Sequence, residues 1–298
     1  MVIQEDIAPE IIEVFNASKY PMRCFDLWDR TKKWLAENPS SVNPDDALMF
    51  FAHSTPLIAF LESHDWDTTK AFNGIKSIAK KRHSDPTTDV VLLDFPKDYH
   101  ELGALLPNLV DKNGRPVLWV RSIDPPELLY PKVMRMFAWV TDRFCERVSA
   151  SPLKPGLVFD CQVMTTNFRL IKDSITIVLQ RCPPWVEYIA IVGLSSYFRF
   201  FGRICRNFLP RYLKDSLIFI DIDDLDNYFD MKQLPHYLGG ETRLITDKEL
   251  EQCPSLQEYA EKCGLEPTLF DKWRENAHSK YMKHAKPSAK IKPIEMFT

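Results

Sequence analysis

The sequence has little glycine, 9 among 298 residues. No G-x-G-x-x-G and no G-x-x-x-x-G-K-[ST] occurs, so the two common phosphate-cradling loops are missing. The nucleophile elbow G-x-S-x-G is missing too, because Gly193-Leu194-Ser195-Ser196-Tyr197 ends on the wrong residue. The seven histidines form no H-E-x-x-H pair. With these motifs absent, the chain reads as non-enzymatic, with no catalytic residue, no metal ligand and no cofactor assigned. An excess of either charge is also missing, with 38 Lys and Arg against 41 Asp and Glu. The formal net charge of −3 excludes a strongly basic nucleic-acid binder as the default reading. No apolar run reaches the ~18–20 residues of a membrane span. The start, MVIQEDIAPE, has neither a basic region nor an apolar one, which predicts no secretory signal.

The seven cysteines, Cys24, Cys145, Cys161, Cys182, Cys205, Cys253 and Cys263, are spread widely and contain no C-x-x-C. They read as reduced thiols of a cytoplasmic protein, and no zinc cluster is expected.

Residues 1–88 read as a helical subdomain. Pro9 opens a first helix, and Met22–Trp34 carries Cys24, Phe25, Leu27, Trp28 and Trp34 at helical spacings. Leu57, Phe60 and Leu61 share a helical face. Asp67 stands where an N-cap would start a second helix through Ala71, Phe72, Ile75 and Ile78, giving a helical hairpin. Ser84–Asp89 is a turn cluster and a domain boundary.

Residues 89–245 change texture. Val117–Val120 is a strand launched from the turn Asp111–Pro116, where Asn113-Gly114 supplies positive φ. Glu127–Val148 reads as a helix, Leu157–Cys161 as a strand, Asn167–Arg181 as a helix, and Val186–Val192 and Leu217–Ile222 as strands. Strands alternating with helices predict an α/β fold with a mostly parallel sheet flanked by helices. Residues 246–298 become helical and polar again, and Asn276–Pro293 carries five lysines and no carboxylate. That tail reads as a solvated segment or as an attraction to anionic membranes.

Two acidic features have two readings each. Asp221–Asp226 could hold a divalent cation or decorate a helix start. Asp160 could be a strand-end acid or a turn-stabilising residue. The segment Ser195–Leu209 is amphipathic. Phe198, Phe201, Cys205 and Phe208 share one face, and Arg199, Arg203 and Arg206 share another. Its periodicity suits a core helix with a solvated basic face as well as a mobile lid.

Five stretches, in order, resemble the CRAL-TRIO (Sec14-like) lipid-binding family. They are Leu57–Leu61 with Trp66-Asp67 and Lys70-Ala71, then Asp111–Val117, then Leu157–Asp160. Ile189–Val192 with Phe198, Phe201 and Phe208–Pro210 comes next, followed by Leu234-Pro235-x-x-Leu238-Gly239-Gly240. The resemblance implies a helical N-terminal subdomain before a gated apolar pocket. It implies non-covalent binding and transfer or presentation of a hydrophobic lipid, a phospholipid or similar, with transient contact to a membrane surface by a cytoplasmic, peripheral protein. Trp119, Phe159, Ile189 and Ile191 would line the pocket, with Phe198, Phe201, Ile204 and Phe208 as the lid and Arg203 and Arg206 at the headgroup. Two departures stand out. Pro184 occupies the position of a headgroup-binding glutamate in phosphatidylinositol-binding members. Pro155 and Leu157 replace the serine and threonine of phosphatidylcholine binders. The alternative is a divergent domain that scaffolds a protein partner, such as a small GTPase, without lipid.

Overall fold

The computed structural model describes residues 7–43, 46, 49–50, 53–103, 105–121, 123–125, 127–149, 151–162, 168–194, 214, 216–264, 266, 268, 271 and 275. Helix α1 (Pro9–Ala17) and helix α2 (Pro21–Glu37) each start on a proline, which has no N–H to leave unpaired in a first turn. Helices α3 (Ser54–Ser63) and α4 (Thr68–Ser84) form the expected hairpin. Asp67 caps α4, its Oδ1 accepting from Lys70 N at 3.0 Å. Leu57, Phe60 and Leu61 are buried, as are Ala71, Ile75 and Ile78.

After the short helix α5 (Lys97–Glu101), a five-stranded sheet runs in the order β1-β2-β3-β4-β5. Its strands are β1 (Leu105–Val110), β2 (Pro116–Arg121), β3 (Gly156–Asp160), β4 (Tyr188–Val192) and β5 (Leu217–Ile220). Strand β1 pairs antiparallel with β2, and the remaining pairs are parallel. The β1–β2 hairpin turns at Asp111–Arg115. Asp111 Oδ1 accepts from the Asn113 and Arg115 amides, and Gly114 takes φ +80°.

Helix α6 (Tyr130–Ser149) joins β2 to β3, and helix α7 (Phe168–Arg181) joins β3 to β4. Parallel crossovers are right-handed, so connections stepping the same way along a sheet fall on one face. The α6 residues Val133, Met136, Phe137, Val140 and Phe144 accordingly share a core with Leu118, Val120, Leu157 and Ile189. That core continues without a break into α1–α4 through Phe15, Trp28, Leu57, Phe60 and Ile75. The opposite face, with Val117, Trp119, Val158, Ala190, Val192 and Ile220, is closed by Leu225, Phe229, Leu234, Tyr237 and Leu238. Two short helices follow, α8 (Asp247–Leu250) and α9 (Leu256–Lys262), each opened by a capping box.

A buried ion cluster ties α4 to α6 and α7. Asp142 Oδ1 accepts from Arg82 Nη1 at 2.8 Å and from Arg181 Nε at 2.9 Å; Oδ2 accepts from Arg181 Nη2 at 2.6 Å and from Thr87 Oγ1 at 2.9 Å. Arg82 also reaches Asp46 and Glu146, and Arg181 reaches Asp85.

The expectation of reduced cysteines fails at one pair. Cys145 of α6 and Cys182, next after α7, form a disulfide with Cα atoms 5.9 Å apart. The two cysteines are 37 residues apart in sequence, and the packing of α6 against α7 brings them within bridging range. Cys24, Cys161, Cys253 and Cys263 are free. No helix among the described residues is long and apolar enough to cross a membrane.

Candidate functional site

Side chains alternate along a strand, so the parallel register sorts the sheet into transverse rows. On the face covered by α6, one row is Leu118, Leu157, Ile189 and Leu217; the next is Val120, Phe159, Ile191 and Phe219. Exposure in the first row rises from 0% at Leu118 through 3% and 9% to a half-buried Leu217. In the second row Val120 is buried, whereas Phe159, Ile191 and Phe219 are all half-buried. The cover supplied by α6 therefore thins from β2 towards β5, and an apolar strip of Phe159, Ile191, Phe219 and Leu217 is left partly open.

Of the residues expected to line a pocket, Phe159, Ile189 and Ile191 come together on this face. Trp119 does not join them. It pairs with Val158 and Ala190 in the row that points the other way, where it is fully buried. Nearby, strand-pairing residues Leu217 and Phe219 take positions beside Ile189 and Ile191. Sequence reasoning did not single these two out; their alternation in step with Ile189 and Ile191 was the available signal. The expected lid residues Phe198, Phe201, Ile204 and Phe208, and the expected headgroup residues Arg203 and Arg206, lie outside the described residues.

Trp119 belongs to a buried polar chain that locks the opposite face. Its Nε1 donates to Tyr237 Oη at 2.8 Å, and Tyr237 donates to Asp160 Oδ2 at 2.5 Å. Asp160 Oδ1 accepts from Gln162 N at 3.0 Å, the turn-stabilising role anticipated for it. Arg121 stacks on the Tyr237 ring, 3.4 Å from its centroid. Burial holds the Tyr237 phenol well above its ordinary pKa, with the Asp160 carboxylate adding to the effect, so it stays a neutral donor. Tyr237 is one of the unspecified positions in Leu234-Pro-x-x-Leu-Gly-Gly. Gly240, the last residue of that motif, packs where a Cβ would overlap the Leu234 carbonyl.

Asp160 and the acidic run do not form a metal centre. Ile222–Asn227 is a 3-10 helix with Asp223, Asp224 and Asp226 exposed. Among the described residues, no group of three or more His, Cys, Asp or Glu could hold a metal ion. Cys161 directly follows β3, and burial pushes its thiol up to about 12, which leaves it protonated and unreactive.

The sheet order, the flanking helices and the helical lead-in are those of the Sec14-like fold. The crystal structure of Sfh5 aligns with a TM-score of 0.50 over 81% of this chain and 95% of that one, at 12% identity. No curated protein matches the sequence. The model of the CRAL/TRIO domain matches residues 101–240, from the end of α5 to Gly240. Residues 101–240 thus carry a CRAL/TRIO domain, on a chain whose fold is Sec14-like.

Proposed function

We propose that this domain binds a hydrophobic lipid without covalent chemistry, over the β3–β5 half of the α6 face, and transfers or presents it at membranes. The observation that carries the reading is the rising exposure along the two apolar rows. Apolar side chains on the inner strands of a sheet are ordinarily covered, yet Phe159 of β3 and Ile191 of β4 are covered only in part, as are Leu217 and Phe219 beside them on the outermost strand β5. The connection from β4 to β5 spans residues 193–216. We assign that connection, from its amphipathic sequence, the role of a lid for the strip. Phe198, Phe201, Ile204 and Phe208 are then the apolar underside of a lid, and Arg203 and Arg206 are available to a phospholipid headgroup. Each ligand methylene buried there contributes about 0.8 kcal/mol, so a ligand competes with a bilayer only if most of its chain is enclosed. Pro184 offers no carboxylate for an inositol ring, which favours a ligand recognised chiefly by its apolar part. The reading places the protein in the cytoplasm, peripheral to membranes, with no cofactor.

Native mass spectrometry of the full chain purified from eukaryotic cells tests it. A co-purifying lipid is expected, retained by the wild type and lost in Ile191→Asp at unchanged secondary structure. A folded protein that carries no lipid and takes none up from mixed liposomes would overturn the reading and leave a protein-binding scaffold on the same fold.

A further inference from the structure

The corner where α1 meets α2 is built differently from the rest of the surface. The core-facing stripe of α2 is Cys24, Phe25, Leu27 and Trp28, and Met22 in its first turn lies outside that stripe. Met22 is 78% exposed, the highest among the exposed large hydrophobic residues described, and Tyr20 beside it is exposed as well. The loop between α3 and α4 reaches the same corner. Its Trp66 ring stands edge-on to Tyr20 with centroids 5.2 Å apart, and Arg23 Nη1 donates to the Trp66 carbonyl at 2.7 Å. Asp65 and Trp66 take φ of +51° and +63°. Two consecutive non-glycine residues seldom adopt that left-handed conformation, so the turn holds Trp66 in place against its local preference.

The corner also carries positive charge. Lys19 Nζ and Arg23 Cζ lie 5.2 and 4.8 Å from the Tyr20 ring centroid. Neither is ion-paired among the described residues. The nearby carboxylates are mostly engaged: Asp26 pairs with Arg30 at 2.9 Å, and Asp67 caps α4 and pairs with Lys70 at 3.5 Å. Asp65, in the turn, is exposed.

Tyrosine and tryptophan rings settle at the headgroup level of a bilayer, lysine and arginine meet anionic lipid, and a flexible apolar tip enters the acyl boundary. Charge complementarity therefore favours a lipid surface here. We infer that the α1–α2 corner docks the protein on an anionic bilayer, with Met22 as the tip, Tyr20 and Trp66 as interfacial rings, and Lys19 and Arg23 as the cations. This docking goes beyond the lipid-binding reading and does not require a ligand over the sheet.

Co-sedimentation of the full chain with phosphatidylcholine vesicles, with and without phosphatidylserine, tests the inference. Binding is expected only when phosphatidylserine is present, and it should weaken as salt rises. Removing each cation, as in Lys19→Gln and Arg23→Gln, should weaken it about fivefold. Met22→Glu should lower binding and Met22→Leu should keep it, with thermal melts unchanged because the side chain is exposed. Equal binding by all variants would put the docking surface elsewhere on the chain and overturn the inference, as would absence of wild-type binding. Retention of co-purified lipid, read on the same samples, reports on the sheet site and not on docking.

Discussion

Trp119 and Tyr237, separated by 118 positions, meet through one buried hydrogen bond from Nε1 to Oη at 2.8 Å. That bond, with the next one to Asp160, fastens the segment after β5 onto the sheet.

Tyr237→Phe removes the hydroxyl and leaves two buried groups short of a partner. The expected loss is about 1–3 kcal/mol in urea unfolding. Because the chain lies on the face away from Phe159 and Ile191, lipid retention should not change. A variant that loses lipid but keeps wild-type stability would contradict this assignment.

The ion cluster is the second stabilising feature. Asp142→Ala leaves two guanidinium groups, of Arg82 and Arg181, without their shared carboxylate. Stranding buried charge costs about 3–5 kcal/mol, so the variant should unfold at markedly lower denaturant. A midpoint close to that of the wild type would show that Asp46, Glu146 and Asp85 suffice for the two arginines.

Asp46 makes the stability pH-dependent. Burial, working against the Arg82 guanidinium, raises its carboxyl to about 6 from an ordinary value of 3.8. Its Oδ2 is buried without a hydrogen-bond partner among the described residues. A folded-state pKa above the unfolded one contributes stability that is full below about pH 4 and is lost as pH rises through about 6. Asp46→Asn cannot titrate, so its stability relative to wild type should rise by roughly 2–3 kcal/mol between pH 4 and 7. A difference that stays flat across that range would mean burial does not dominate at this site.

The disulfide is open to direct chemistry. Peptide mapping without reductant should yield a linked Cys145–Cys182 peptide that separates on reduction. Cys145→Ser should lower stability by about 2–5 kcal/mol under oxidising conditions. Under reducing conditions that gap should largely close. Alkylation of both cysteines in the unreduced, denatured chain would show that the bond does not form.

Much of the fold was legible because local chemistry sets it. Asp67 before Thr68-Thr69-Lys70 marked a helix start through its side-chain cap, and alternating apolar strands with long helices marked the parallel sheet. Strand β1 was not legible. Pro107 and Asn108 interrupt its apolar pattern, and its pairing shifts register between Leu106 and Leu109; an edge strand tolerates both. The disulfide was hidden because neither Cys145 nor Cys182 has a cysteine close in sequence.

The candidate site divides the same way. Periodicity placed Ile189 and Ile191 on one face of a strand, and the register of the parallel sheet added Phe159, Leu217 and Phe219 to that face. Trp119 looked equally suited to a pocket, yet it points away, because face assignment depends on how neighbouring strands pair and not on side-chain character. By itself the sequence determined most of the elements, their order, the central apolar strands and the family resemblance, all of which depend on residues close along the chain. Only the tertiary structure decided which face each strand residue joins, which charges meet at Asp142, and which cysteines bond. Those outcomes depend on distances between residues far apart in sequence, which no local pattern encodes.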